Sequence, residues 1–289
     1  MSLVTQTDGP RSVAEAPRTE AFVTLARRRK LFILIMRIAV LAVILGGWEL
    51  GVYFNLIDPF FFGQPSGIGE KLVEWITEGT SIGPLWYQIW VTIYEACAGF
   101  LIGAVLGILC GVALGRNELL SDIFSIYVKV ANSIPRVILG SIFIVAFGLG
   151  AASKVALAVV MVFFVVFANA FQGVREADKT LISNARVLGA SRWQITRSVV
   201  IPSATSWILA SLHVSFGFAL VGAIVGEFLG GTSGLGVLIK NAQGTFDANG
   251  VWAAMVIMAV VALIAEWLIT RLENRLLRWR PAQLAGPDL

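Results

Sequence analysis

Apolar stretches dominate this chain: they recur at about 31–54, 87–115, 134–149, 154–174, 203–230 and 250–271, separated by short polar segments. Runs of this length match the roughly 30 Å hydrocarbon core of a bilayer. A soluble domain has no interior large enough to hide them, since 57% of the 289 residues are hydrophobic, 14% are charged and the mean hydropathy is +0.81. The bilayer must act as solvent, and the fold class expected is an all-α membrane protein with six transmembrane helices.

The polar segments set the expected organisation. Residues 1–26 carry Pro, Thr, Ser, Glu and Asp without hydrophobic periodicity and read as a disordered cytoplasmic tail, closed at residue 30 by Arg27, Arg28, Arg29 and Lys30. The run from Leu31 lacks a small-residue cleavage site, so it reads as a retained anchor rather than a signal peptide. A membrane domain then extends over 31–274, and 275–289 forms a second cytoplasmic tail.

Basic residues near span ends are held on the cytoplasmic side. The segment 174–202 holds Arg175, Lys179, Arg186, Arg192 and Arg197, and the C-terminal end adds Arg271, Arg275, Arg278 and Arg280. The connection after the first span sets Lys71 against Asp58, Glu70, Glu74 and Glu78. Both termini are therefore expected inside, which an even number of spans also requires. This topology accounts for the net charge of +4 without a nucleic-acid partner. Cys97 and Cys110 both fall in one apolar stretch, which leaves neither a disulfide framework nor a thiolate metal cluster.

Within the second span, Gly99, Gly103, Gly107, Gly111 and Gly115 repeat every four residues and share one helix face, where another helix can approach closely. Packing inside the chain is the plain reading, and a dimer interface is the alternative. Ionisable and polar residues in spans are costly against lipid and mark a candidate solute path. Those singled out are Glu95, Asn132, Ser133, Arg136, Asn169, Gln172, His213, Glu227 and Glu266. Asn132, Ser133 and Arg136 flank Pro135, which frees backbone groups beside a cation and so offers a setting for an anion. For His213, the lone histidine, a proton-sensitive role competes with an interhelical hydrogen bond. Glu95 is expected to reach the interface, and Glu266 to pair with Arg271 or extend to the headgroups.

The segment between the fourth and fifth spans is the most informative. Ser183–Leu188 has a helical pattern, Gly189 suits a left-handed turn, and Ser191 suits the cap of a second short helix containing Trp193 and Ile195. Pro202 fits the first turn of the following span. Two short helices at an angle are expected, and a connection this long argues for a task such as docking a partner. An interfacial helix pair resting on headgroups is the competing account.

This stretch resembles the cytoplasmic loop of bacterial ATP-binding-cassette importer permeases, which reads Glu-Ala-Ala, three residues, Gly, nine residues, then Ile-x-Leu-Pro. Here Ser183-Asn184-Ala185 is followed at the same spacing by Gly189 and by Val199-Val200-Ile201-Pro202, with Ser183 and Asn184 departing from the consensus. Ser133-Ile134-Pro135, Phe147-Gly148-Leu149-Gly150, Gly226-Glu227 with Ser233-Gly234-Leu235-Gly236, and Trp279-Arg280-Pro281 extend the likeness over about 35–282. They narrow it to the nitrate, sulfonate, taurine and bicarbonate branch of the binding-protein-dependent transport inner membrane component family.

The resemblance implies a type I importer permease fold, with a cytoplasmic coupling helix in 181–197 formed around Ser183, Asn184, Ala185, Gly189, Ala190, Trp193 and Pro202. It further implies a second, identical permease chain, two ATPase subunits and an extracytoplasmic binding protein, in the bacterial inner membrane. The chain would be no enzyme and would hold no cofactor, since it lacks a Gly-x-x-x-x-Gly-Lys-Ser/Thr loop and ATP and Mg would bind to the partner. The solute implied is a small anion such as a sulfonate, nitrate or taurine. An ion-gradient-driven transporter is the alternative, but no inverted repeat is visible. An intramembrane enzyme would need a nucleophile–base or metal set that one histidine does not supply.

Overall fold

In a computed structural model that describes residues 18–176 and 179–276, every element is helical. The helices are α1 (Arg18–Tyr53), α2 (Pro59–Phe62), α3 (Pro65–Thr77), α4 (Leu85–Gly115), α5 (Glu118–Ser133), α6 (Leu139–Phe147) and α7 (Ala151–Arg175). They continue with α8 (Lys179–Val187), α9 (Arg192–Ile195), α10 (Ile201–Gly230), α11 (Leu235–Gly244) and α12 (Ala248–Leu276). A 3-10 turn (Arg136–Ile138) precedes α6, and a π-helical segment (Thr196–Val200) joins α9 to α10. Helices suit a bilayer because each satisfies its backbone hydrogen bonds internally.

Two units emerge, Met1–Asp58 and Pro59–Leu289. The first is α1, which reaches back to Arg18, inside the stretch expected to be unstructured. Ala, Leu and Arg over 18–30 favour a helix enough to extend the apolar run. At its end the chain folds over Gly51, whose carbonyl accepts the N–H groups of Leu56 (2.8 Å) and Ile57 (3.1 Å).

Among the described residues, five helical segments are long and apolar enough to cross a membrane: Leu31–Tyr53, Leu85–Gly115, Ala151–Arg175, Arg192–Gly230 and Ala248–Arg271. The run expected at 134–149 is instead a short apolar helix, Arg136–Phe147. Pro135 explains the interruption, because its ring pushes Ile134 out of the helical region (φ −76°, ψ 128°) and ends α5 at Ser133. The pair of short helices expected before Pro202 also differs: from Arg192 the chain runs helically into α10 without a corner. Proline removes an N–H and crowds the carbonyl four residues back. The helix widens in answer, and Ile201 N–H donates five residues back to Thr196.

The core of the second unit is α4, α7 and α10. All five glycines of the α4 repeat face α7. A Cβ at Gly103 would stand 2.7 Å from the Val159 carbonyl oxygen, one at Gly107 3.0 Å from that of Phe163, and one at Gly111 2.7 Å from Ala170 Cβ. Backbones this close exchange lipid contact for dispersion contact. Because Gly103 meets Val162, Gly107 meets Val166 and Gly115 meets Val174, α4 and α7 are parallel. Residues 116–150 must therefore carry the chain back along the bundle. α10 runs the other way, with Gly173 against Trp207 and Gly222 against Ala158. Ala96, Val162, Val166, Ala219 and Ala223 fill the space between the three helices.

At the end of the bundle where α12 begins, Asn249 Oδ1 accepts the Gln64 N–H (2.9 Å), and Trp252 Nε1 donates to the Phe62 carbonyl (2.9 Å). These bonds tie α3 and α2 to α12.

Candidate functional site

The segment after α7 is built from local signals. At the end of α8, Leu188 N–H donates to Asn184 O (3.1 Å) and Ala190 N–H to Ala185 O (3.0 Å), closing the helix through Gly189 at φ +78°. This is a glycine C-cap. Ser191 Oγ then accepts the Gln194 N–H (3.3 Å) while Gln194 Oε1 accepts the Ser191 N–H (2.8 Å), a reciprocal capping box that starts α9.

Tertiary packing decides which way this segment faces. Ile195 and Val200 are buried with Val174 of α7 and Ala204 of α10, and Ala185 and Ala190 pack against them. The opposite face is open: Val187 is 87% exposed, Leu188 86% and Trp193 61%. Ser183, Asn184 and Pro202 are exposed as well. A shallow hollow of about 360 Å³ lies beside the turn, lined by Ala185, Leu188, Gly189, Gln194 and Ser198.

At the opposite end of the bundle lies a buried polar cluster. Glu227 of α10 is fully buried; its Oε1 accepts the Thr92 hydroxyl of α4 (2.7 Å) and its Oε2 accepts the Gly236 N–H (2.7 Å). Thr92 Oγ1 in turn accepts the Leu235 N–H (2.9 Å), and Gln88 Oε1 accepts the Gly234 N–H (2.8 Å). The first amides of α11 are thus capped by a carboxylate, a hydroxyl and an amide from two other helices, and the positive end of the helix favours the carboxylate. Gly234, at φ +106°, lies against the Glu227 carboxyl, where a Cβ has no room. A Cβ on Gly236 would sit 2.8 Å from Glu227 Cβ. The Gly-Glu and Ser-Gly-Leu-Gly motifs are two halves of one capping site.

Lys154 of α7 and Glu95 of α4 complete the cluster. Lys154 is buried, and its Nζ donates to the carbonyls of Leu149, Gly150 (3.0 Å) and Gly230 (2.9 Å). Glu95 is 3% exposed on the same helix as Gln88 and Thr92, so it is buried in the bundle rather than reaching out to the membrane interface as expected. Sequence inspection missed Gln88, Thr92 and Lys154, whose positions near the ends of apolar runs resemble boundary residues.

The remaining candidates are scattered. Arg136, in the 3-10 turn, lies over the Phe164 ring of α7 at 5.0 Å. Ser133 Oγ donates to the Lys129 carbonyl (3.0 Å) and Asn169 Nδ2 to that of Val165 (2.8 Å), both within their own helices. Gln172 Nε2 donates to Glu176 Oε1 (2.8 Å). His213 Nε2 stands 4.0 Å from Glu266 Oε1 between α10 and α12, while Arg271 stacks on Trp267 at 4.4 Å rather than pairing with Glu266. The side chain of Asn132 and the whole of Trp279-Arg280-Pro281 lie outside the described residues.

Residues 103–278 match the family described as binding-protein-dependent transport system inner membrane component. The chain is 31% identical over 83% of its length to a Bacillus subtilis (strain 168) protein named for aliphatic sulfonates transport, the permease SsuC, covering 85% of that protein. It is 30% identical to the riboflavin transport system permease protein RibX of Chloroflexus aurantiacus (80% of this chain, 85% of RibX). It is 26% identical to the taurine transport system permease protein TauC of Escherichia coli (strain K12; 84% and 89%). Among solved structures, inward-facing conformations of the MetNI methionine ABC transporter align with a TM-score of 0.57 at 22% identity, covering 67% of this chain and 96% of theirs.

Proposed function

The chain belongs to the binding-protein-dependent transport inner membrane component family and is an ABC transporter permease, and from that premise we propose how it couples to its partners and what it carries. The exposed face of 181–197 is the coupling element. One observation carries this: Val187, Leu188 and Trp193 are left uncovered on a turn whose other face is buried and whose two helix ends are capped. An apolar, rigid projection of this kind suits a groove on another protein, with the bulky indole as anchor. ATP and Mg bind to that partner, an ATPase, two of which serve a pair of identical permease chains. An extracytoplasmic binding protein delivers the solute at the other face.

The arrangement comprises six crossings. Since α4 and α7 are parallel, the broken element α5–α6 supplies a return crossing between them, and an even total leaves both termini in the cytoplasm. The chain thus sits in the bacterial inner membrane with 179–197 and its arginines inside.

The solute is a small anion such as a sulfonate, nitrate or taurine. The likeness to SsuC and TauC supports this, as does the cationic Arg136 beside the proline break, where helix interruption frees backbone donors.

The experiment is coexpression with the candidate ATPase, comparing wild type with Trp193→Ala combined with Leu188→Ser. Wild type should copurify with ATPase activity, and the variant should lose it while retaining its fold. Equal recovery of the ATPase with both proteins refutes the coupling assignment. Uptake of labelled taurine, an alkanesulfonate, nitrate and riboflavin by the reconstituted complex then identifies the solute, and uptake of riboflavin alone overturns the anion reading.

A further inference from the structure

We infer that Lys154 is a positioning residue rather than a solute contact: its ammonium pins the corner between α6 and α7 to the end of α10, so that the three helices move as one body during transport. This inference rests on the proposed coupling of 181–197 to an ATPase and adds how movement started there reaches the far end of the bundle.

The corner and the helix end both leave carbonyls to be satisfied. α6 stops at Phe147, the chain turns through Gly148 at φ +77°, and α7 starts at Ala151. The carbonyls of Leu149 and Gly150 fall in this turn, and that of Gly230 belongs to the last residue of α10, where no intrahelical donor remains. Inside a lipid-embedded bundle such groups need a donor from the protein itself. Lys154 is that donor: its Nζ bonds to Leu149, to Gly150 (3.0 Å) and to Gly230 (2.9 Å), 76 residues away. An ammonium has three N–H groups. A buried cation is a natural candidate for an anion path, but here every donor is already taken by a carbonyl.

Close packing sets the ammonium in place. α10 presents Gly222 to Ala158 and Gly226 to Lys154, where Cβ atoms would stand 2.7 Å from Ala158 Cα and 3.0 Å from Lys154 Cγ. The lysine stem therefore lies along bare α10 backbone, and its head reaches Gly230 one turn further on. Ile144 of α6 and Leu149 close on the same glycine, 2.7 and 3.1 Å from where its Cβ would be. With Lys154 only 2% exposed, the three bonds act in a dry setting that strengthens them, and the negative end of α10 favours the cation.

The opposite end of the same helices receives the coupling element. Ile195 and Val200 are buried against Val174 of α7 and Ala204 of α10. α7 has 25 residues, about 37 Å at 1.5 Å per residue, so a push on the coupling element enters α7 and α10 together and arrives at the lysine. With the clamp intact the end of α6 follows. Without it only apolar contact joins α6 to α10, and the corner lags behind.

The test uses the chain coexpressed with its ATPase in lipid nanodiscs, with Cys97 and Cys110 replaced by alanine and spin labels on cysteines at the exposed Val145 of α6 and Val221 of α10. Labelled chain is diluted with unlabelled chain so that one labelled copy is read per complex. With Lys154 in place, electron–electron double resonance should give one narrow distance, unchanged between nucleotide-free and ATP–vanadate-trapped complexes. Lys154→Met should broaden the distribution about twofold, since its thioether offers no N–H. In that variant ATPase activity should persist while maximal uptake falls about tenfold at unchanged KM, read with whichever of labelled taurine, an alkanesulfonate, nitrate and riboflavin the wild type carries. The proposal is overturned by a wild-type distance that shifts with nucleotide, by a narrow distribution in Lys154→Met, or by a raised KM at full maximal rate. Should Lys154→Met not fold, Lys154→Gln takes its place under the same criteria, since its shorter amide cannot reach three carbonyls. If no ATPase copurifies with wild type, the coupling reading fails by itself, and the distribution widths of the purified chain still judge the clamp.

Discussion

Single residues act here chiefly through the space they leave. Gly103 lets α4 meet the Val159 carbonyl and Val162, so Gly103→Leu forces the two helices apart. Overpacking of this kind costs about 1–3 kcal/mol, and the thermal midpoint of the purified chain should fall accordingly. Gly189 is a different case, since no atom lies within 4 Å of a Cβ there and only its φ of +78° resists substitution. Gly189→Ala should cost about 1 kcal/mol in backbone strain and retain the ATPase. Gly189→Arg should fold equally well but lose the ATPase, because its side chain projects from the proposed docking face. Copurification measured beside thermal stability separates the two effects.

Helix ends and irregularities carry the next level of organisation. The capping box at Ser191 holds the start of α9 rigid. Ser191→Ala should cost about 1 kcal/mol and raise hydrogen exchange over 191–195 while α10 stays protected. At the start of α12, Lys71 Nζ lies 3.1 Å from Glu74 and 3.5 Å from Asp247, linking α3 to the turn before α12. Partial burial alone would lower the Lys71 pKa, but hydrogen bonds and attraction to the two carboxylates outweigh it and raise the value above its ordinary 10.5. A raised value in the folded state means that the stabilisation is complete below that pH and is lost as pH climbs past it. Exposed pairs of this type contribute about 0–1 kcal/mol. Lys71→Met should therefore lower the melting temperature slightly at neutral pH, and the difference from wild type should vanish in strongly alkaline buffer.

For the molecule as a whole, the crossing number is the decisive quantity. The parallel pair α4 and α7 requires a return over 116–150, and the proposed crossing there is the proline-broken α5–α6. Tags at the two termini should accordingly be reached by protease from the same face of oriented inner-membrane vesicles. Protection of one tag and cleavage of the other would mean an odd number of crossings. The two ends of the α4–α7–α10 core have different characters: an apolar projection at one, and a buried polar capping cluster at the other.

Patterns local in the chain were legible from residues alone. Apolar run lengths marked the five long spans though not the break at 134–149, the four-residue glycine spacing marked a close-packing face, and Gly189 with Ser191 marked a helix stop and start, because each signal depends on neighbours within one or two turns. Pro135 and Pro202 were visible too, but not whether each would break or merely widen its helix, since that depends on what packs around it. The partner of the glycine face and the direction of α7 came only from packing. So did the capping cluster, where Thr92 meets Glu227 across 135 residues and Lys154 reaches Gly230 across 76. No local pattern encodes such pairs; a buried charge is tolerated only where distant helices bring it donors and acceptors, and tertiary structure alone decides where that happens.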